Sequence, residues 1–165
     1  MPSELAFRAQ LVIKNQRRVY DYWRGCAGAR RMPSRGDIDP VAIADLLPAI
    51  GLLDCGENPV DVRYRLAGTR LQEIFGLELT SRSVFDLDLG DKKGYWAAAY
   101  SKVITEKTPM QGALKGPIAN RDHIILFWLR LPLSEDGKTV NKILSYDVAM
   151  PVSVAIADKP YALSS

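Results

Sequence analysis

Read for alternation and helical spacing, the chain divides into a helical start, two short strands, a helical middle and a strand-rich end. Residues Glu4 to Arg24 place Leu5, Ala9, Val12, Val19, Tyr22 and Trp23 on the apolar surface of one amphipathic helix, ended by Gly25, Gly28 and Met32-Pro33. Asp39-Pro40, a cap followed by proline at the first helical position, predicts a second helix to about Leu46. Ala49 to Cys55 reads as the first strand and Gly56-Glu57-Asn58-Pro59 as a turn. The alternating run Val62-Arg63-Tyr64-Arg65-Leu66 returns as a second strand that reaches Ala67.

The stretch from Asp61 to Leu87 organises the rest. Its strand turns at Gly68-Thr69 into a short helix with Leu71, Ile74 and Phe75 at helical spacing. Thr69 is the expected N-cap, Glu73 sits in the early turns, and Gly76 supplies a left-handed end. Short helices continue to about Leu89. Asp91 to Lys107 then carries Trp96, Ala99, Tyr100, Val103 and Ile104 on one broad helical face, broken at Thr108-Pro109.

Met110 to Lys115 is a short strand, Asn120-Arg121-Asp122 a turn, and His123 to Leu133 the strongest strand of the chain. One side of that strand reads Ile125, Phe127, Leu129, Leu131; the other reads Ile124, Leu126, Trp128, Arg130. A strand with one wet face would not be apolar on both sides. The second side therefore needs a cover, either the N-terminal helix or another subunit. Ser134 to Lys138 turns the chain into a last strand, Val140 to about Ala149, that Pro151 ends or bends, and Pro160 to Ser165 reads as a loose tail.

Segregated helices and strands argue for an α+β domain with an antiparallel sheet. The division expected is 1–40 for the N-terminal helix and connector, 41–152 for the domain, and 153–165 for the tail. At 165 residues the chain suits one domain with a real core. No apolar run approaches a membrane span, and Met1-Pro2-Ser3-Glu4 lacks the start of a secretory signal, so a cytoplasmic protein is expected. Cys26 and Cys55 lie far apart and read as reduced thiols.

The net charge of +3 is unevenly placed. Residues 1–40 hold eight cations against four acids, a local +4, which leaves −1 for the remainder. Such a segment is more often the solvated face of a helix than a nucleic-acid surface, and nucleic acid is not an expected partner.

Catalytic templates are empty. His123, beside Asp122 at a strand start, reads as a surface residue, with no Ser or Cys nucleophile motif to serve. There is no metal-ligand spacing, no Walker loop and no dinucleotide fingerprint. Arg31-Met32-Pro33-Ser34-Arg35 echoes the arginine pair of cyclic-dinucleotide-binding PilZ domains, but the partner Asp/Asn-x-Ser-x-x-Gly is missing. An alternative small α+β enzyme, isomerase- or thioesterase-like, would depend on a buried carboxylate, Asp147 or Asp54.

The residues Arg63-Tyr64-Arg65-Leu66-Ala67-Gly68-Thr69, Phe75-Gly76, Leu79-Thr80 and Phe85-Asp86-Leu87 resemble the PAS domain family, in particular short stand-alone bacterial members. Pro33-Ser34-Arg35-x-Asp37-Ile38-Asp39-Pro40 and Leu46-Leu47-Pro48 extend the resemblance, which spans roughly residues 20–150. Where those relatives have Gly before Arg in a Leu-Thr-x-Arg turn, this chain has Ser81 before Arg82. The resemblance implies five antiparallel strands in the order 2-1-5-4-3, with helices over one face. It also implies a non-enzymatic sensory or interaction role, acting through dimerisation or partner binding.

PAS relatives bind small molecules between sheet and helical cap. No Asn-Cys-Arg-Phe-like helix is present for covalent flavin and no histidine on the long helix for haem, so both cofactors are disfavoured; noncovalent flavin stays open and the cofactor is left unassigned. A small apolar ligand would meet Tyr64, Phe75, Tyr95, Tyr100, Phe127, Leu129 and Tyr146, with Arg65, Ser145 or Asp147 as a polar contact. Core filling is the commoner role for such aromatics. A homodimer, or a complex with another signalling protein, would use Val12, Val19, Tyr22 and Trp23 with Leu126 and Trp128 of an outer sheet face.

Overall fold

The alternating segments form strands where expected and pair into one antiparallel sheet. In the computed structural model, which describes residues 4–157, the elements are α1 (Glu4–Gln10), α2 (Lys14–Ala27), β1 (Ile50–Cys55), β2 (Val62–Ala67) and α3 (Thr69–Phe75). They continue as α4 (Lys93–Glu106), β3 (Met110–Lys115), β4 (Ile124–Leu133), β5 (Lys142–Pro151) and α5 (Val152–Ala157). The sheet order is β2-β1-β5-β4-β3, as the family resemblance implies. Helical connections at Pro40–Ala49, Val84–Asp86 and Gly90–Lys92 are 3-10, and the first is kinked at Ile43. The tail expected from Pro160 lies outside the described residues.

Four local expectations need correction. The N-terminal helix is two helices, separated where Ile13 is extended and Leu11 is buried. No glycine or proline marks that break. It is made by tertiary contacts: Arg17 donates to the Leu11 carbonyl at 2.7 Å, Arg8 grips Asp21 with two bonds, and Phe7 packs on Tyr20 with ring centroids 5.2 Å apart. Next, the cap of α3 is Gly68, with Thr69 as first helical residue, because the backbone at Gly68 passes against the Leu47 and Pro48 carbonyls, where a Cβ would collide. The third correction is that the Asp39-Pro40 helix is 3-10; Asp39 does cap it, accepting from the Val41 N–H at 3.0 Å. Last, β5 starts at Lys142 and runs through Pro151, which α5 follows.

Both faces of β4 are covered within one subunit. On one face lies α4, with Trp128 against Trp96, their ring centroids 5.4 Å apart. Against the other face lies α2, whose Trp23 indole donates to the Pro132 carbonyl at 2.9 Å. The fully buried Leu11, Val19 and Trp23 hold this layer. Each contributes roughly 1.5–3 kcal/mol, whereas exposed pairs such as Arg8–Asp21 are screened by solvent and add little. Packing therefore decides where the N-terminal helices sit, and no second subunit is needed to cover β4.

The two sheet faces are exchanged relative to the expectation. Leu126, Trp128 and Arg130 face the helical cap, while Phe127, Leu129 and Tyr146 face the N-terminal layer. Phe127 clusters with Ile125, Ala155 and Ile13, and Tyr146 bonds to Asn15 of α2. Alternation determines which residues share a face. It carries no sign, so it does not say which face the cap covers.

Candidate functional site

The inner face, between the sheet and α4, is built around a charged residue. Arg130 lies in the middle of the apolar run of β4, opposite Ser145, and Trp128 lies opposite Asp147. Arg130 thus reaches Asp147 along the diagonal between adjacent strands. Two of its nitrogens bond to the Asp147 carboxylate, one also donates to the Leu129 carbonyl at 3.0 Å, and Nε donates to the Tyr100 hydroxyl at 3.0 Å. The Arg130 and Asp147 side chains are 1% and 0% exposed, so no solvent screens the pair.

Aromatic rings enclose the guanidinium. The centroids of Trp96, Tyr100 and Trp128 lie 5.3, 5.7 and 5.8 Å from its carbon, within cation–π range. Trp96 and Tyr100 are four residues apart on α4, hence on one helical face. Phe85 meets Tyr100 edge-on, and the Trp128 indole donates to the Tyr95 hydroxyl at 2.9 Å. Tyr64 of β2 bonds to Tyr100 from the far side.

Burial works against the Arg130 charge, but the Asp147 carboxylate and the two phenols hold its pKa well above the ordinary arginine value. Burial likewise pushes the Asp147 carboxyl up, opposed by Arg130. Desolvation raises both Tyr64 and Tyr100, which keeps the phenols protonated. Beside this network the Ser145 hydroxyl is fully buried without a hydrogen-bond partner among the described residues.

Of the residues expected to meet a ligand, Tyr64, Tyr95 and Tyr100 come together here, and Phe75 is buried on α3. Phe127, Leu129 and Tyr146 lie across the sheet, and Arg65 is exposed on β2, paired with Asp54 at 3.1 Å. Of the expected interface, Val19 and Trp23 are buried against the chain's own sheet, and Leu126 and Trp128 beneath its own cap. Tyr22 is half-buried with its hydroxyl at the Asp39 backbone, and Val12 stays at the surface. Sequence reasoning missed Arg130 and Trp96. The readable signal was an arginine inside an apolar strand, which demands a buried acid, and Asp147 is the acid in the neighbouring strand.

Elsewhere, the basic N-terminal segment is laced to the domain where Arg18 pairs with Asp45 and Arg31 donates to the Glu106 carbonyl, while Arg30 pairs with Asp37 inside the segment. Asp54 is held by Arg65 and Lys142. It borders a surface pocket of about 350 Å³ together with Cys55, whose thiol burial pushes up to about 12. No cluster of metal-ligating side chains occurs among the described residues. None of the described helices is long and apolar enough to cross a membrane.

A family model described as a PAS domain matches residues 12–146. The structure is similar to a Rhodobacter sphaeroides LOV protein, with 14% identity over 72% of this chain and 72% of that one and a TM-score of 0.52. An RNA-binding light-oxygen-voltage receptor is similar at 14% identity over 74% of this chain and 36% of that one, TM-score 0.54. The PAS domain of Bordetella pertussis BvgS is similar at 11% identity over 71% and 87%, TM-score 0.50. At such identities the likeness is one of fold. No curated protein matches the chain significantly.

Proposed function

Because the chain belongs to the PAS domain family, we propose that it is a non-enzymatic sensory or interaction module, acting in the cytoplasm by associating with a second copy or another signalling protein. The observation that carries this reading is the state of Asp147. Fully buried and bonded twice to Arg130, it is out of reach of a substrate, and Asp54 is likewise held in ion pairs. This disfavours the isomerase- or thioesterase-like alternative, since a general base must reach the proton it removes.

The same network bears on the ligand. Tyr100 packs on Arg130, Tyr64 bonds to Tyr100 and Tyr95 to Trp128, so these tyrosines are engaged between sheet and cap, which supports a packing role for them and speaks against flavin or haem there. Association must then use other surfaces than the buried Val19, Trp23, Leu126 and Trp128. Leu5 and Val12, 79% and 37% exposed, are apolar side chains that the N-terminal layer presents outward.

Sedimentation of the full chain from low to high micromolar concentration tests the homodimer. A concentration-dependent dimer weakened by Leu5→Glu with Val12→Glu is expected. A monomer throughout would refute self-association, and a dimer indifferent to both changes would refute this surface.

A further inference from the structure

The outer face of the sheet is unevenly covered. While α2 lies over β4 and the Pro40–Ala49 segment reaches β1 and β5, a groove of about 310 Å³ stays open toward β2. Leu52, Leu66 and Leu144 line it from the sheet, and Ile38 and Ile43 from the connector.

A β-bulge builds this groove. The β1–β2 register shifts between Leu52 and Leu53, so that Leu52 pairs with Leu66 and Leu53 with Tyr64, leaving Arg65 opposite nothing. The extra residue reverses the alternation. Leu66 therefore joins Leu52 on the outer face, 55% exposed, instead of following Tyr64 inward.

The rim carries one cation of a particular kind. Most arginines of the N-terminal segment are tied to carboxylates or to several carbonyls. Arg35 lines the groove and donates to the Ile38 carbonyl at 3.2 Å, and forms no ion pair among the described residues. Thr80, also lining the groove, has its hydroxyl bonded to the Glu78 carboxylate at 2.7 Å. An acid that close to the rim opposes a doubly charged head group, whereas a single carboxylate matches the fork of one guanidinium.

We propose that this groove is a binding site for a medium-chain fatty acid, with the alkyl chain along Leu52, Leu66 and Leu144 and the carboxylate at Arg35. The site lies on the opposite side of the sheet from the Arg130 cluster, and it goes beyond the associative role, since occupancy is measured directly. Its volume is at the lower end of ligand pockets, which favours a short chain over a long one. Each added methylene should tighten binding about fourfold until the groove is full.

The test is a titration of the full chain, methyl groups labelled for NMR, with decanoate, hexanoate, 1-decanol and decylammonium below their micellar concentrations. Saturable shifts are expected at Ile43, Leu52, Leu66 and Leu144, with decanoate roughly tenfold tighter than decanol. Arg35→Gln should erase that preference while decanol binding persists, and Leu66→Glu should weaken both ligands; thermal melts confirm that each variant folds. Shifts centred on Leu53 and Val103 instead would move the ligand to the inner face and overturn the proposal. So would decylammonium binding as tightly as decanoate, the absence of a saturable shift, or ligand-free shifts that grow with protein concentration, which would give the groove to a second copy.

Discussion

Arg130 and Asp147 meet diagonally across adjacent strands with neither side chain reaching solvent, and three aromatic rings close over the guanidinium. An ion pair so placed contributes little net stability over a well-packed apolar pair, because both charges were stripped of water to make it. Its effect is conditional. Either partner alone is a buried, uncompensated charge.

That asymmetry gives the first prediction. Arg130→Met or Asp147→Leu alone should cost about 3–5 kcal/mol, and the double replacement should recover most of that loss. Urea unfolding of the two single variants and the double variant measures the coupling. Additive losses would show that the pair does not act as a unit.

Removing residues 1–27 should abolish cooperative unfolding, since α2 covers the apolar side of β4. A milder probe is Trp23→Phe, which deletes the indole bond to the Pro132 carbonyl and should cost about 1 kcal/mol. A truncated chain that still melts in one sharp transition would mean that α2 is an accessory.

Ser81 has a left-handed backbone, φ 71°, at the position where PAS relatives carry glycine. A side chain is strained there, and Arg63 ties the conformation down by donating to the Ser81 carbonyl at 2.6 Å. Ser81→Gly should therefore raise stability by roughly 0.5–1 kcal/mol, seen as a higher urea midpoint at unchanged slope. A lower midpoint would show that the entropy of the added glycine outweighs the relieved strain.

Asp136 organises the turn between β4 and β5. Its carboxylate accepts from the Thr139 and Lys138 N–H groups and the Ser134 hydroxyl, which holds its pKa down at about 2. The folded value lies below the unfolded one of about 3.9. Its stabilising contribution is thus fully present above about pH 4 and is lost as pH falls toward 2. The stability difference between the native chain and Asp136→Ala should shrink over that window. A difference that stayed constant from pH 5 to pH 2 would contradict the assignment.

Sequence alone determined the elements that local chemistry controls. The β2 limits, Val62–Ala67, followed from alternation and flanking turns, and Gly76 ended α3 in the left-handed region that its missing side chain permits. The apolar character of β4 on both sides announced that both faces are covered. The strand order was legible through the family motifs. Only the tertiary structure decided which face of β4 meets the cap, because alternation has a period and no sign. It also decided the break between α1 and α2, which rests on the contacts of Leu11, Arg8 and Arg17, and the bulge at Arg65 that turns Leu66 outward. These are choices between arrangements nearly equal in local energy, settled by which one buries the most surface and leaves Arg130 beside Asp147.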